Sequence, residues 1–102
     1  MILRVLAEAR REAVEAAVWY DRQRSGLGDQ LLGEIERALE RIEIAPERFA
    51  IWEPYDGAEE FRRCLLKRFP YVVIFEHRPE EVLVVAISHV RRRPNYWLDR
   101  LK

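Results

Sequence analysis

The sequence predicts an α+β domain in which a helical hairpin packs on one face of an antiparallel sheet. Three observations carry that expectation. Two stretches within the first 45 residues repeat their apolar side chains at helical spacing. A four-residue break, Ser25-Gly26-Leu27-Gly28, separates them. Three stretches rich in β-branched and aromatic residues then follow at 61–68, 70–77 and 81–89, divided by short turns. The expected order is β-α-α-β-β-β with a short closing helix, in a single domain spanning residues 1–102.

Residues 2–6, Ile-Leu-Arg-Val-Leu, read as a short strand. From Ala7 the period changes: Ala9, Ala13, Ala17 and Tyr20 form one stripe, widened by Val14 and Val18, while Glu8, Arg11, Glu12, Glu15 and Arg22 take other sides. That is an amphipathic helix of about 17 residues, and its small inner residues let a neighbour lie close. Gly26 supplies the left-handed backbone that ends a helix, and Asp29 is placed to cap the next one. Leu32, Ile35, Leu39 and Ile42 then share a face, opposite Glu34, Arg37, Glu40 and Arg41, until Pro46 stops the helix. Residues 47–60 lack a period, and Pro54, Asp56 and Gly57 mark a loop. In the third β-stretch, Val82 to Ile87 is apolar on both alternations, which places it inside the sheet. Arg78-Pro79-Glu80 makes the preceding turn, and residues 94–101 read as a short helix after Pro94.

The single cysteine, Cys64, has no partner for an internal disulfide and fits a reducing cytoplasm. The N-terminus lacks the long apolar core of a secretion signal, and no apolar run approaches the roughly 18 residues of a membrane span. His77, His89 and Cys64 form no metal-ligand pattern, so no metal and no small-molecule cofactor is expected. The formal net charge is zero but unevenly spread. Residues 1–60 carry 8 Lys+Arg against 14 Asp+Glu, a balance of −6; residues 61–102 carry 10 against 4, a balance of +6. A basic C-terminal half suits an anionic partner such as RNA, DNA or an acidic peptide. The alternative is that the halves neutralise each other in the fold.

Four segments, in order, resemble the RelE/ParE toxin superfamily over essentially the whole chain. They are Val18-Trp19-Tyr20 with Gly26-Leu27-Gly28; Ile42 with Ala45-Pro46; Phe61-Arg62-Arg63-Cys64 leading to Phe69-Pro70-Tyr71-Val72-Val73; and Val85-Ala86-Ile87-Ser88-His89-Val90-Arg91-Arg92 with Pro94, Tyr96-Trp97 and Arg100. The resemblance implies a cytoplasmic bacterial toxin of the type II toxin–antitoxin, plasmid-stabilisation kind, inhibiting growth and neutralised by a cognate antitoxin. ParE-like members inhibit DNA gyrase; RelE-like members cleave mRNA on the ribosome without a metal. A member that keeps the fold but has lost activity is the third alternative.

For a nuclease, the resemblance places Arg63, Arg92 and Tyr96 in catalysis, since attack by a 2′-hydroxyl on the adjacent phosphate needs cations and a proton-transfer group. Nuclease-type relatives carry an arginine after the strand tyrosine, where Val72 stands here, and a further basic residue where Leu65 stands. The cationic set is incomplete, which favours a ParE-like or undefined target. Arg62, Lys67, Arg68, Arg91 and Trp97 are the expected contacts to target or antitoxin. Several have structural readings as well: Arg62 and Arg63 as solvated or ion-paired strand residues, Trp19, Tyr20 and Trp97 as packing aromatics, and His89 as a hydrogen-bonded strand end. The strands and the C-terminal arginines are expected to share one positive surface that the antitoxin covers or borders.

Overall fold

The computed structural model describes all residues from Met1 to Lys102. Strand β1 (Ile2–Val5) leads into helices α1 (Ala7–Gln23) and α2 (Leu27–Ile44) and a 3-10 turn (Pro46–Arg48). Strands β2 (Ala50–Ile51), β3 (Phe61–Leu65), β4 (Tyr71–His77) and β5 (Glu81–His89) follow, and a 3-10 turn over Tyr96–Leu101 closes the chain. All strands join one sheet in the order β1-β5-β4-β3-β2. The α+β class and the helical hairpin on one face are as the sequence predicts.

The sheet is antiparallel from β2 to β5, but β1 runs parallel to β5. Four reversals of chain direction separate the two, at α1–α2, β2–β3, β3–β4 and β4–β5, so they point the same way. This places β5 between β1 and β4, with Val82 to Ser88 all buried, as its two-sided apolar pattern requires.

Both faces of the sheet are covered. On one, Ala9, Ala13 and Ala16 of α1 and Leu31, Ile35, Ala38 and Ile42 of α2 pack on Val73, Phe75, Val82, Val84 and Ile87. On the other, Trp97 is fully buried among Phe61, Val72, Ile74, Leu83, Val85 and Ala86. Phe61 holds the indole edge-on at 4.7 Å between ring centres. Removing a fully buried aromatic side chain of this kind costs about 3–5 kcal/mol.

Local chemistry accounts for the departures from the sequence reading. The strand expected over 61–68 stops at Leu65, because buried Glu34 of α2 accepts the backbone N–H groups of Lys67 and Arg68 and folds residues 66–70 into a turn. A 3-10 turn replaces the helix expected over 94–101. Asn95 takes a left-handed φ of 64°, accepts a hydrogen bond from the Trp52 indole at 2.9 Å and donates to the Pro54 carbonyl at 2.9 Å. Gly26 adopts the expected left-handed conformation, φ 94°, but α2 begins at Leu27, so Asp29 lies in its first turn and caps nothing. Asp21 accepts the Gly28 N–H instead, at 2.7 Å. Gly28 also permits the close approach of the helices: a Cβ there would sit 2.4 Å from the Ala17 carbonyl oxygen.

Candidate functional site

Strand β5, helix α1 and strand β3 all run toward one end of the sheet, and parts of the first, third and fourth signature segments meet there; the second, Ile42 with Ala45-Pro46, lies at the far end of α2. Tyr71 and His89 are register partners at the ends of β4 and β5, with ring centres 5.4 Å apart. Tyr20, near the end of α1, sets its ring against Phe69 at 5.0 Å and Tyr71 at 6.3 Å. Trp19 stacks edge-on with Tyr20 yet stays 55% exposed. A cleft of about 250 Å³ opens between α1 and β5, lined by Glu12, Glu15, Trp19, Tyr71, His89 and Arg92 among others.

The wall of this cleft is built around Glu12. Strand β1 pairs with β5 only as far as Val84, so the edge of β5 beyond that point needs other partners. Glu12 accepts the Ile87 N–H at 3.0 Å, and Arg100 donates to the Val85 carbonyl at 2.9 Å. The two side chains also bond each other twice, at 2.8 and 2.9 Å, with only 13% and 15% of their side-chain surface exposed. The Tyr96 hydroxyl donates to the same carboxylate, and Arg92 stacks over the Tyr96 ring at 3.9 Å. Burial alone would raise the Glu12 carboxyl, but hydrogen bonds from Arg100, Tyr96 and Ile87 outweigh it and hold the group below the ordinary range. Burial and the bond to Glu12 push the Tyr96 phenol up, so it stays a protonated donor at neutral pH. His89 accepts the Arg91 N–H on Nδ1 at 3.1 Å, a strand-end hydrogen bond.

The expected cationic residues divide. Lys67 and Arg68, on the β3–β4 turn, share the end of the sheet with Arg91, Arg92 and Arg93, and all five are exposed. Val90 N–H bonds the Pro70 carbonyl at 2.9 Å and ties the two segments together. Arg22 and Arg24, exposed around the end of α1, join them, although the sequence count assigned them to the acidic half. Of these seven only Arg68 and Arg92 are ion-paired, with Glu34 at 3.6 Å and Glu12 at 3.9 Å. Carboxylates nearby are Glu15, Asp21 and Asp29.

Three residues fall outside this basic end. Arg62 points along the sheet edge, where it pairs with Glu60 at 2.6 Å and bonds the Phe49 and Glu47 carbonyls; it anchors the segment before β2. Arg63 lies on β3 opposite Ile74 and Ala50. That is two strands from β5, roughly 10 Å of backbone separation, whereas Tyr96 sits across the far edge of β5 on Glu12. The trio Arg63, Arg92 and Tyr96 is therefore not gathered at one point. Trp97 has no exposed surface, so a direct contact with target or antitoxin is corrected to a core role.

Glu12 is the member of the site that sequence reasoning passed over, placing it on an outer side of α1. A signal for it exists: Ala9, Ala13 and Ala16, at spacings of three, one and four residues, are all buried around it. A carboxylate in that position borders the core and needs a partner.

Comparison with known proteins gives a matching result. The family model described as the ParE toxin of the type II toxin–antitoxin system parDE matches residues 3–94. A solved structure of the chromosomal ParDE toxin–antitoxin system from P. aeruginosa is similar at a TM-score of 0.64 and 16% identity, over 87% of this chain and 95% of that one. At that identity the likeness is one of fold. No curated protein matches the chain significantly.

Proposed function

The chain belongs to the ParE toxin family of type II toxin–antitoxin systems, and from that premise we propose that it arrests growth by binding and blocking a protein target, such as DNA gyrase, rather than by cleaving mRNA. The observation that carries this reading is the engagement of the chemistry-bearing groups. Tyr96 donates its proton to Glu12, Arg92 lies flat on Tyr96, and Arg63 stands two strands away. Ribonucleolytic attack needs these groups converging on one phosphate with a free proton acceptor. Tyr96 and Arg92 form a wall with Glu12 instead, beside a basic end that carries exposed Trp19. A surface with an aromatic anchor and unpaired cations suits a macromolecular contact.

A type II system pairs its toxin with an antitoxin, and we infer that the antitoxin borders the same basic end. Charge complementarity there favours fast capture. The deciding experiment is inducible expression in cells with plasmid supercoiling and mRNA integrity followed together. Growth arrest with altered supercoiling, an SOS response and intact mRNA is expected. Cleaved mRNA that persists in wild type and vanishes in Arg63→Ala or Arg92→Ala would establish the nuclease alternative, and normal growth would establish the inactive one.

A further inference from the structure

The cations of the basic end stand on three short backbone segments, each fixed by its own hydrogen bonds. Lys67 and Arg68 ride the turn between β3 and β4, closed by the Leu66 N–H on the Tyr71 carbonyl at 3.0 Å and by buried Glu34. Arg91, Arg92 and Arg93 follow β5. Their turn is closed by the Arg92 N–H on the His89 carbonyl at 3.0 Å and by the Arg91 N–H on His89 Nδ1 at 3.1 Å. Arg22 and Arg24 lie where α1 ends, and the Arg24 N–H bonds the Tyr20 carbonyl at 3.0 Å. The backbone is in place before a partner arrives, so only side chains remain to be ordered.

Arg22, Arg24, Lys67, Arg91 and Arg93 are exposed and have no carboxylate partner. The acids around them are largely committed elsewhere. Asp21 accepts the Gly28 N–H, Glu34 accepts the β3–β4 turn, and Glu12 is held by Arg100. Glu15 and Asp29 remain free. The cations stand on projecting turns outside the aromatic cleft, whose own wall carries Glu12 and Glu15 and would repel a phosphate. The Tyr20, Phe69 and Tyr71 rings inside it meet one another edge to face. A single nucleic-acid strand calls for the reverse arrangement, a cationic groove with open ring faces for its bases. Duplex DNA presents its phosphates outward and needs neither. It also carries one charge per ~1.7 Å of axis, denser than the one per ~3.3 Å of a fully acidic extended peptide.

We propose that this end binds the phosphate backbone of duplex DNA through Arg22, Arg24, Lys67, Arg91 and Arg93. The inference rests on reading the basic end as the working surface of the toxin, and it adds a nucleic-acid contact to the protein target. Contacts to phosphate alone make the binding independent of base sequence.

The probe is a fluorescein-labelled duplex two helical turns long, titrated with the full-length protein by fluorescence anisotropy over a range of salt. Each phosphate neutralised contributes about −0.9 to the slope of log affinity against log salt, so five cations give at most about −4.5, a loss of roughly 500-fold for a fourfold rise in salt. Arg91→Ala/Arg93→Ala should make that slope shallower by about 2 and weaken binding in low salt by about tenfold or more. Arg10→Ala/Arg48→Ala removes the same charge from exposed positions away from this end and should change the affinity by no more than about twofold. Circular dichroism checks the fold of both variants. Four results would each overturn the proposal: no binding in low salt, equal losses in the two double variants, displacement of the duplex by polyglutamate at equal charge concentration, or tighter binding of oligothymidylate than of the duplex. The assay contains no other protein, so a failure here removes the DNA contact and leaves the block of a protein target standing.

Discussion

Replacing Glu12 by alanine tests how the basic end is held together. The substitution leaves Arg100 without its carboxylate partner at low exposure and strips the acceptor from the Ile87 N–H. Breaking a fully buried ion pair costs about 3–5 kcal/mol, less here because each side chain keeps some contact with water. An orphaned buried N–H adds about 1–3 kcal/mol. Together these give a loss of about 3–4 kcal/mol, a large share of the roughly 5–15 kcal/mol that stabilises a domain of this size. At about 4 °C or more per kcal/mol, the midpoint of thermal unfolding should fall by about 12 °C or more. Glu12→Gln keeps an oxygen acceptor without the charge and should lose about half as much. Urea and thermal unfolding followed by circular dichroism measure both variants. A loss below about 1 kcal/mol in Glu12→Ala would refute the claim that this carboxylate organises the site.

The same group predicts a pH dependence. Its carboxyl titrates lower in the folded chain than in the unfolded one, because bonds from Arg100, Tyr96 and Ile87 outweigh the opposing effect of burial. The stability it contributes is therefore complete above the unfolded carboxylate range and drains away as pH falls through the depressed folded value. Glu12→Gln should flatten that part of the stability–pH curve.

Gly28→Ala pushes a Cβ to 2.4 Å from the Ala17 carbonyl and should cost about 2 kcal/mol or more in urea unfolding. Trp97→Ala, in the core, should cost about 3–5 kcal/mol, whereas Trp19→Ala, at 55% exposure, should stay within about 0.5 kcal/mol yet weaken growth arrest on expression. Bonds from Arg4 and Arg78 lower the partly buried Glu81 carboxyl to about 2. A side-chain NMR titration should show Arg4→Ala moving it back toward the ordinary range, so that this pairing in the wild type persists in acid and fails only as pH approaches 2. Burial raises the Cys64 thiol despite nearby Arg41; its reaction with an aromatic disulfide reagent at pH 8 should be slow in the native protein and fast in urea.

Period and punctuation made most of the fold legible. The alanine stripe of α1, the Gly26 turn, the Pro46 stop and the two-sided apolar run of β5 each report a local constraint, and local constraints survive into the folded chain. The errors arise where a distant group decides. The end of β3 depends on Glu34, about thirty residues earlier; the parallel docking of β1 depends on the sum of later reversals; the closing turn depends on Asn95 meeting Trp52. The same division runs through the site. Lys67, Arg68, Arg91 and Arg92 were recognisable because exposed cations sit where turns are. The two readings of Arg62 could not be separated because its partners include the carbonyls of Glu47 and Phe49, and Glu12 was passed over because Arg100 lies 88 residues away.

The fold also turns a charge count into a field. A net charge of zero would suggest a weakly interacting surface if the two halves of the sequence mixed. They mix only in part: Arg22 and Arg24 leave the acidic half for the basic end, while Glu80 and Glu81 sit on the 78–81 turn at the opposite end, near Glu59 and Glu60. Nine residues of β5 separate the ends, roughly 30 Å at strand rise. That is several times the ~8 Å screening length of physiological salt, so neither end neutralises the other. A partner approaching the aromatic cleft meets a local excess of cations over Glu15, Asp21 and Asp29, and its association rate should fall with ionic strength even though the chain as a whole is neutral.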